Sequence, residues 1–149
     1  MRRSLRSVLY RDFYKLMIKR VCSAPISRMT GQKLTAIKKG YARVELEIQK
    51  KHLHGGGDVH GGIYGLIADT AGFFSMMSML TPEDTGATIE YNINLIAPAR
   101  GRKVIAEGSV LTMGKSHCVC EMKVRDEKDT LCATGLGTYK IFRTGKNLW

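Results

Sequence analysis

The sequence predicts an α+β protein in which one long central helix is wrapped by a curved antiparallel sheet, with an extra helix at the N-terminus. Residues 62–80 form a nearly unbroken apolar run, and the residues after it alternate between apolar and polar side chains in several short segments. An apolar helix and a set of alternating strands form separate layers of one α+β domain. The 149 residues are the usual length for one domain, so we expect a single domain over 1–149, with its core at 30–142.

The first segment, residues 1–22, is both amphipathic and basic. Residues 1–20 carry seven Lys and Arg side chains against Asp12 alone, which supplies +6 of the net charge of +11. The apolar residues recur at spacings of three and four: Leu5, Val8, Leu9, Phe13, Leu16, Met17 and Val21. We therefore expect a helix with a basic outer face that covers the core. An Arg-rich, acid-poor start is also typical of a mitochondrial transit peptide. We expect a cytoplasmic protein, with a mitochondrial location open for a eukaryotic source.

A β-hairpin and a glycine-rich loop follow. Residues 34–37 and the alternating residues 42–48 flank a Lys-Lys-Gly turn, which predicts two paired strands. Residues 51–60 contain three consecutive glycines and cannot hold a regular helix, so they form a loop that can bring backbone close to a ligand. The loop also carries three histidines and Asp58, but their spacing does not match a dinuclear metal site, and we predict no metal.

The apolar run at 62–80 has two interpretations. About 20 apolar residues can span a membrane. However, Asp69 lies inside the run, and a carboxylate at that depth costs roughly 2.5 kcal/mol or more. Residues 52–99 also contain no Lys or Arg that could anchor the ends of a span. We therefore favour a helix buried by the strands that follow, and no membrane span.

The later strands are delimited by turns. Alternating patterns cover residues 88–95, 104–113, 118–124 and 131–142. Cys118 and Cys120 lie two apart and point to the same side of their strand. Because no Cys-x-x-Cys pair is present, we predict that the cysteines are buried thiols rather than a redox or metal site.

Four motifs carry the chemistry. They are Val59-His60-Gly61-Gly62, Asp69 seven residues later, the alternating Thr88–Asn94, and Pro98-Ala99. Together they resemble the PaaI-type branch of the hotdog-fold acyl-CoA thioesterases, over about residues 30–142. The resemblance implies the hotdog fold and hydrolysis of an acyl-CoA to a free carboxylic acid and CoA. It implies no metal or redox cofactor, and coenzyme A enters only as part of the substrate.

The resemblance also implies roles for individual residues. The backbone amides of Gly61 and Gly62 are expected to polarise the thioester carbonyl, and Asp69 is expected to act as general base or as nucleophile. Unpaired amides and the positive end of the helix dipole meet at a helix start, and glycine lets a carbonyl approach closely. Burial in an apolar helix should raise the pKa of Asp69 and make it a better base near neutrality. Thr88 corresponds to a Ser or Thr that positions water.

One position departs from the family pattern. Six residues before His60 the family usually carries Asn, and this chain has His54. A neutral imidazole can donate one hydrogen bond as an amide does, but it titrates near pH 6.5. We expect His54 to act as the replacement donor. If it disables the site instead, the chain is a non-catalytic acyl-CoA-binding hotdog protein.

Further substrate contacts are predicted from position, at His60, Thr70, Phe73, Arg100, Lys103 and Lys115. Phe73 is a candidate for lining the acyl site, and the three cations sit at strand ends or turns where they can meet the phosphates of CoA. Nucleic acid is not predicted as a partner, because a single helix before the fold cannot supply a helix-turn-helix.

The spacing of the two catalytic groups predicts an oligomer. Asp69 lies eight residues after Gly61, which is about 12 Å along a helix axis. A base must lie within about 3 Å of its proton, or one water beyond it. We therefore expect two chains, as a homodimer or a dimer of dimers (homotetramer), with Asp69 of one chain opposite Gly61 of the other.

Overall fold

The computed structural model describes residues 2–146 and 149, with side chains described from residue 10 onward. The predicted apolar positions Leu5, Val8 and Leu9 therefore lie outside the described side chains. The elements in chain order are α1 (Arg2–Ser23), α2 (Pro25–Thr30), β1 (Lys33–Lys38), β2 (Tyr41–Glu47), a short 3-10 helix (Lys50–His52), α3 (Gly61–Met77), β3 (Asp84–Leu95), β4 (Lys103–Met113), β5 (His117–Asp126) and β6 (Leu131–Arg143).

The six strands form one sheet in the order β1-β2-β4-β5-β6-β3, and every neighbouring pair is antiparallel. Alternate residues of β2, β4 and β5 are buried, as strand geometry requires of a sheet with one covered face. These inward side chains pack against Ile67, Ala68 and Ala71 of α3. The predicted fold class, a long helix on an antiparallel sheet with an N-terminal helix, is confirmed.

The helix α3 lies very close to β4. A Cβ atom on Gly108 of β4 would stand 2.3 Å from the main-chain oxygen of Ala71, so only glycine permits this approach. The close approach fixes the position of α3 on the sheet. It therefore fixes where the first and middle turns of the helix lie.

The sheet does not wrap α3 completely, which corrects the expectation from the sequence. Leu66, Asp69, Thr70 and Phe73 remain half-buried, and they recur at spacings of three and four along one side of the helix. The apolar composition of α3 therefore includes a stripe that one chain leaves partly uncovered. The helix also ends at Met77, three residues before the end of the apolar run.

The helix α1 covers the core as predicted, but Leu16, which was expected on its apolar side, is exposed. Phe13, Met17 and Val21 are buried, and the Tyr14 hydroxyl donates a hydrogen bond of 2.9 Å to the carbonyl oxygen of Ser78. The helix α2 was not predicted. It begins at Pro25 and ends before Gly31, whose φ of 84° is the left-handed conformation typical of a helix C-terminus.

Strand β3 forms one edge of the sheet. It pairs with β6, and its other edge has no partner strand among the residues that the structure describes. Ile89, Tyr91 and Leu95 are exposed along it, Leu95 by 56%. A long edge strand with exposed apolar side chains can pair with another strand.

The described helices include none that is both long and apolar enough to cross a membrane. Three of the four cysteines are buried, as predicted, and the Sγ atoms of Cys118 and Cys120 are 3.7 Å apart.

Candidate active site

The start of α3 is organised by His60. Its Nδ1 accepts a hydrogen bond of 2.9 Å from the Gly62 amide, and its carbonyl oxygen accepts one of 2.9 Å from the Ile63 amide. Nδ1 is thus an acceptor, so the neutral ring carries its proton on Nε2. His60 acts as the helix cap through Nδ1, and the Gly62 amide, which was expected to polarise the thioester carbonyl, donates to that nitrogen instead.

The amide of Gly61 is the available donor at this helix start, since it makes no hydrogen bond among the described residues. A Cβ on Gly61 would lie 2.7 Å from Cδ1 of Leu95, so the backbone and the Leu95 side chain are in close contact. The first amides of a helix have no partner within the helix and lie at the positive end of its dipole. The Gly61 amide can therefore polarise a carbonyl oxygen or bind an anion.

Asp69 lies in the middle of α3, on the half-buried stripe. Its Oδ1 accepts a hydrogen bond of 3.0 Å from the Thr88 hydroxyl of β3. Burial raises the pKa of Asp69, and the hydrogen bond from Thr88 opposes that rise because it stabilises the charged form. Two of the predicted site residues, distant in sequence, are thus brought together. A carboxyl with this surrounding can accept a proton or attack an electrophile.

Tyr139 also supports Asp69, and the sequence did not single it out. It is fully buried on β6, and its hydroxyl donates a hydrogen bond of 3.4 Å to the main-chain oxygen of Asp69. A tyrosine in an alternating strand is typical of a plain core position, so no pattern in the sequence distinguishes it.

An open cleft of about 400 Å³ adjoins the start of α3. It is lined by His54, Asp58, Val59, Gly61, Tyr64 and residues 95–98. The Nδ1 of His54 accepts a hydrogen bond of 2.9 Å from the Gly56 amide, which leaves the exposed Nε2 as the protonated nitrogen of the neutral ring. His54 can therefore present one donor to the cleft that Gly61 also lines.

Arg100 stands beside this cleft. Its guanidinium forms an ion pair of 2.9 Å with Asp58, and its amide donates to Asp126. A guanidinium has five N–H donors, so pairing with one carboxylate leaves others for an anionic ligand. The tyrosine at the cleft wall, Tyr64, accepts a hydrogen bond of 2.9 Å from the Ala99 amide and so ties α3 to the segment that carries Arg100.

Besides Asp69 and Thr88, four further predicted residues lie away from this cleft. Lys103 forms an ion pair of 2.8 Å with Glu45, on the face of the sheet opposite α3. Lys115 lies in the turn between β4 and β5, at the far end of β4 from Lys103. The Thr70 hydroxyl donates to the carbonyl oxygen of Leu66 within α3, and Phe73 packs edge-on against Phe74 and Tyr139.

The histidines of the loop are held by contacts within the chain. His52 is buried, its Nδ1 accepts from the Gln49 amide, and its Nε2 lies 2.7 Å from the carbonyl oxygen of Thr30. Across residues 2–146 and 149, no group of three or more His, Cys, Asp or Glu side chains is placed to hold a metal ion.

The helix on a six-stranded antiparallel sheet, with the cleft where that helix begins, places the molecule among hotdog-fold proteins. Two solved structures share this fold at low sequence identity. The PaaI protein of Escherichia coli has a TM-score of 0.80 at 18% identity, over 90% of this chain and 96% of that chain. A thioesterase of Haemophilus influenzae has a TM-score of 0.79 at 21% identity, over 87% and 91%.

The sequence itself matches the model of the Thioesterase superfamily over residues 56–133, and the chain belongs to that family. It is also 30% identical to a 1,4-dihydroxy-2-naphthoyl-CoA hydrolase of Listeria monocytogenes, over 78% of this chain and 94% of that protein. The predicted family and the predicted enzyme class, a thioester hydrolase, are confirmed.

Proposed function

We propose that this protein hydrolyses an acyl-CoA to a free carboxylic acid and CoA, at a site shared between two chains. The observation that carries the proposal is that one helix carries two groups: the available amide of Gly61 at its start and, in its middle, the half-buried Asp69 carboxyl, whose pKa is raised. Both are functional groups that thioester hydrolysis needs, one for the carbonyl oxygen and one for the water or the carbonyl carbon. The Listeria relative, named as a hydrolase of an aryl-CoA, supports coenzyme A as the carrier.

The need for two chains follows from helix geometry. Gly61 and Asp69 lie on one helix eight residues apart, which separates them by about 12 Å along its axis. One thioester group cannot contact both. Two features support a second copy as the supplier of the carboxyl, namely the unpaired edge of β3 and the half-buried stripe of α3 that carries Asp69.

In the proposed reaction, the Gly61 amide of one chain donates to the carbonyl oxygen, where negative charge develops. Asp69 of the partner takes a proton from water as the water oxygen attacks the carbonyl carbon. The carbon–sulfur bond then breaks, and the leaving CoA thiolate takes up the proton. In the nucleophilic route, an Asp69 oxygen attacks the carbonyl carbon itself and expels the thiolate, and water hydrolyses the resulting anhydride. Thr88 holds the carboxyl in position in both routes.

Release of free thiol from a panel of acyl-CoAs tests the proposal. The panel should include short and long alkyl chains and an aryl-CoA such as 1,4-dihydroxy-2-naphthoyl-CoA. We expect turnover with at least one of them, and a loss of about 100-fold or more in kcat for Asp69→Asn. Unchanged turnover in Asp69→Asn would refute the role of that carboxyl.

The second candidate is a protein that binds acyl-CoA without hydrolysing it. The observation that favours it is His54, a larger and titratable group where the family usually has Asn. Tight binding of the same acyl-CoAs by calorimetry with no thiol release would establish this candidate. Recovery of turnover in His54→Asn would then assign the defect to that residue.

A further inference from the structure

The helices α1 and α2 present a surface that the proposed reaction does not use. Arg11, Lys15 and Lys19 recur at spacings of four and form one exposed row along α1. Asp12 is the single acidic residue in the first 20, and it forms an ion pair of 3.9 Å with Lys15, so the row keeps a net positive charge. The buried side of the same helix packs on the core, which fixes the row toward solvent.

Exposed apolar side chains occur on the same two helices. Leu16 of α1 and Ile26 and Met29 of α2 are all exposed, Met29 by 64%. The two helices adjoin, because Val21 of α1 and Ile26 of α2 line the same shallow apolar cleft. Arg28 of α2 is exposed as well, and the Lys51 ammonium donates to the carbonyl oxygen of Met29. We call the set Arg11, Lys15, Leu16, Lys19, Ile26, Arg28 and Met29 the helical basic face.

We propose that the helical basic face is a peripheral contact for membranes rich in anionic phospholipid. Surfaces that bind such membranes combine cations, which are attracted to the negative headgroups, with apolar side chains that enter the headgroup boundary. Both kinds of side chain are present here, and the charge is opposite to that of the lipid. The contact is peripheral, because only individual apolar side chains are available for insertion.

Two other occupants fit the surface less well. A second copy of the chain would bring two strongly cationic faces together, and like charges repel. A nucleic acid would match the cations, but it offers little for exposed Leu, Ile and Met side chains, since phosphate contacts use charged and hydrogen-bonding groups. An anionic bilayer can contact both, because its headgroups attract the cations and its headgroup boundary accepts the apolar side chains.

Cosedimentation of the full chain with vesicles tests this proposal. We expect binding to vesicles of phosphatidylcholine mixed with phosphatidylserine, weak or no binding to phosphatidylcholine alone, and release at high salt. Lys15→Glu and Lys19→Glu should each lower the partition coefficient roughly 25-fold, because each removes one cation and adds one anion, at about fivefold per charge. Met29→Ser should weaken binding without changing its dependence on salt.

Lys128→Glu provides the matched control, since it makes the same charge change in the exposed turn between β5 and β6. It should leave vesicle binding nearly unchanged. Lys15→Gln and Lys19→Gln provide milder variants if a charge reversal unfolds the chain.

Three outcomes would overturn the proposal. The control could weaken binding as much as the α1 variants, the wild type could bind no better when phosphatidylserine is present, or the wild type could bind duplex DNA at a salt concentration at which it does not bind the vesicles. Hydrolysis of a soluble short-chain acyl-CoA should be the same in Lys15→Gln and wild type, so failure here and failure of the proposed hydrolysis are distinguishable.

Discussion

The carboxyl of Asp69 is subject to opposing influences. Burial raises its pKa, and the hydroxyls of Thr88 and Tyr139 lower it again. Burial is the larger effect, so the carboxyl holds its proton to a higher pH than an ordinary aspartate does. As a base or nucleophile it acts only after losing that proton. The rate of hydrolysis should therefore fall as the pH drops through the pKa of Asp69.

Removal of the Thr88 hydroxyl should make the rate of hydrolysis begin to fall at a higher pH. Thr88→Val deletes the hydrogen bond to the charged carboxylate, so the pKa of Asp69 rises further and the acid side of the profile shifts upward. The measurement is kcat/KM against pH, which reports the free enzyme. Thr88→Ser keeps the hydroxyl and should keep the wild-type profile. An unshifted profile in Thr88→Val would mean that the 3.0 Å contact has no effect on the titration.

Asp69→Asn should make the protein more stable at neutral pH. A carboxyl whose pKa is higher in the folded than in the unfolded state stabilises the fold only while it is protonated, and this contribution is lost as the pH rises through the folded pKa. At pH 7 the charged Asp69 therefore lowers the free energy of unfolding. Asparagine is neutral and can still accept from Thr88.

Thermal unfolding at neutral and at acid pH measures the effect. The unfolding temperature of Asp69→Asn should exceed that of the wild type at pH 7, and the difference should shrink in acid. Asp12→Asn, on the exposed side of α1, changes the same chemical group and should shift stability by less than about 0.5 kcal/mol. A lower unfolding temperature for Asp69→Asn at pH 7 would contradict the assigned pKa shift.

The packing of α3 against β4 depends on a single glycine. Alanine in place of a strand glycine is ordinarily favourable by about 0.5–1 kcal/mol. At Gly108 the added Cβ would meet the main-chain oxygen of Ala71 at 2.3 Å, and a helix backbone cannot move aside as a side chain can. We expect Gly108→Ala to be destabilised by about 1–3 kcal/mol, as overpacked cores are.

Gly61→Ala is the comparison for Gly108→Ala. Its Cβ would also make a short contact, 2.7 Å, but with the end of the exposed Leu95 side chain, which can rotate away. Its stability should change by less than about 0.5 kcal/mol. Urea unfolding of both variants checks the pair. Equal losses would mean that α3 can shift on the sheet and that Gly108 does not fix its position.

The elements themselves were mostly predictable. The periodicity of α1, β2, β4 and β5 reflects one buried and one exposed face, and that pattern is local. The helix α2 was missed because six residues are too few to show a period, although Pro25 and Gly31 are ordinary start and stop signals. Strand β3 begins at Asp84, four residues before the predicted start. Buried and exposed residues do not alternate along this edge strand, so no periodic pattern marks where it begins.

The proposed shared active site makes a prediction that a single-chain site does not. Asp69→Asn lacks the carboxyl, and Gly61→Val covers the amide with a branched side chain, so each variant alone should lose about 100-fold or more. In a heterodimer of the two variants, one site combines the intact Gly61 of the first chain with the intact Asp69 of the second. We expect such heterodimers to recover about half of the wild-type rate per dimer.

Two different affinity tags allow the heterodimer to be purified from cells that express both variants. Sedimentation then establishes that the active species contains both chains. A heterodimer as inactive as its parents would show that the two groups do not meet across an interface. Gly61→Ala can replace Gly61→Val if the larger side chain prevents folding.

The order of the strands, the buried helix, the basic first helix and the position of the candidate site motifs could be predicted from the sequence. Each depends on residues that are close in the sequence, where the helix or strand period indicates which side of the element is buried. The tertiary structure decided which groups meet. In the folded chain the Thr88 hydroxyl donates to Asp69, the Gly62 amide donates to His60, and Lys103 lies on the face of the sheet opposite α3. Those outcomes depend on the register between distant elements, which is determined by packing contacts such as that of Gly108 with Ala71 and not by any local pattern.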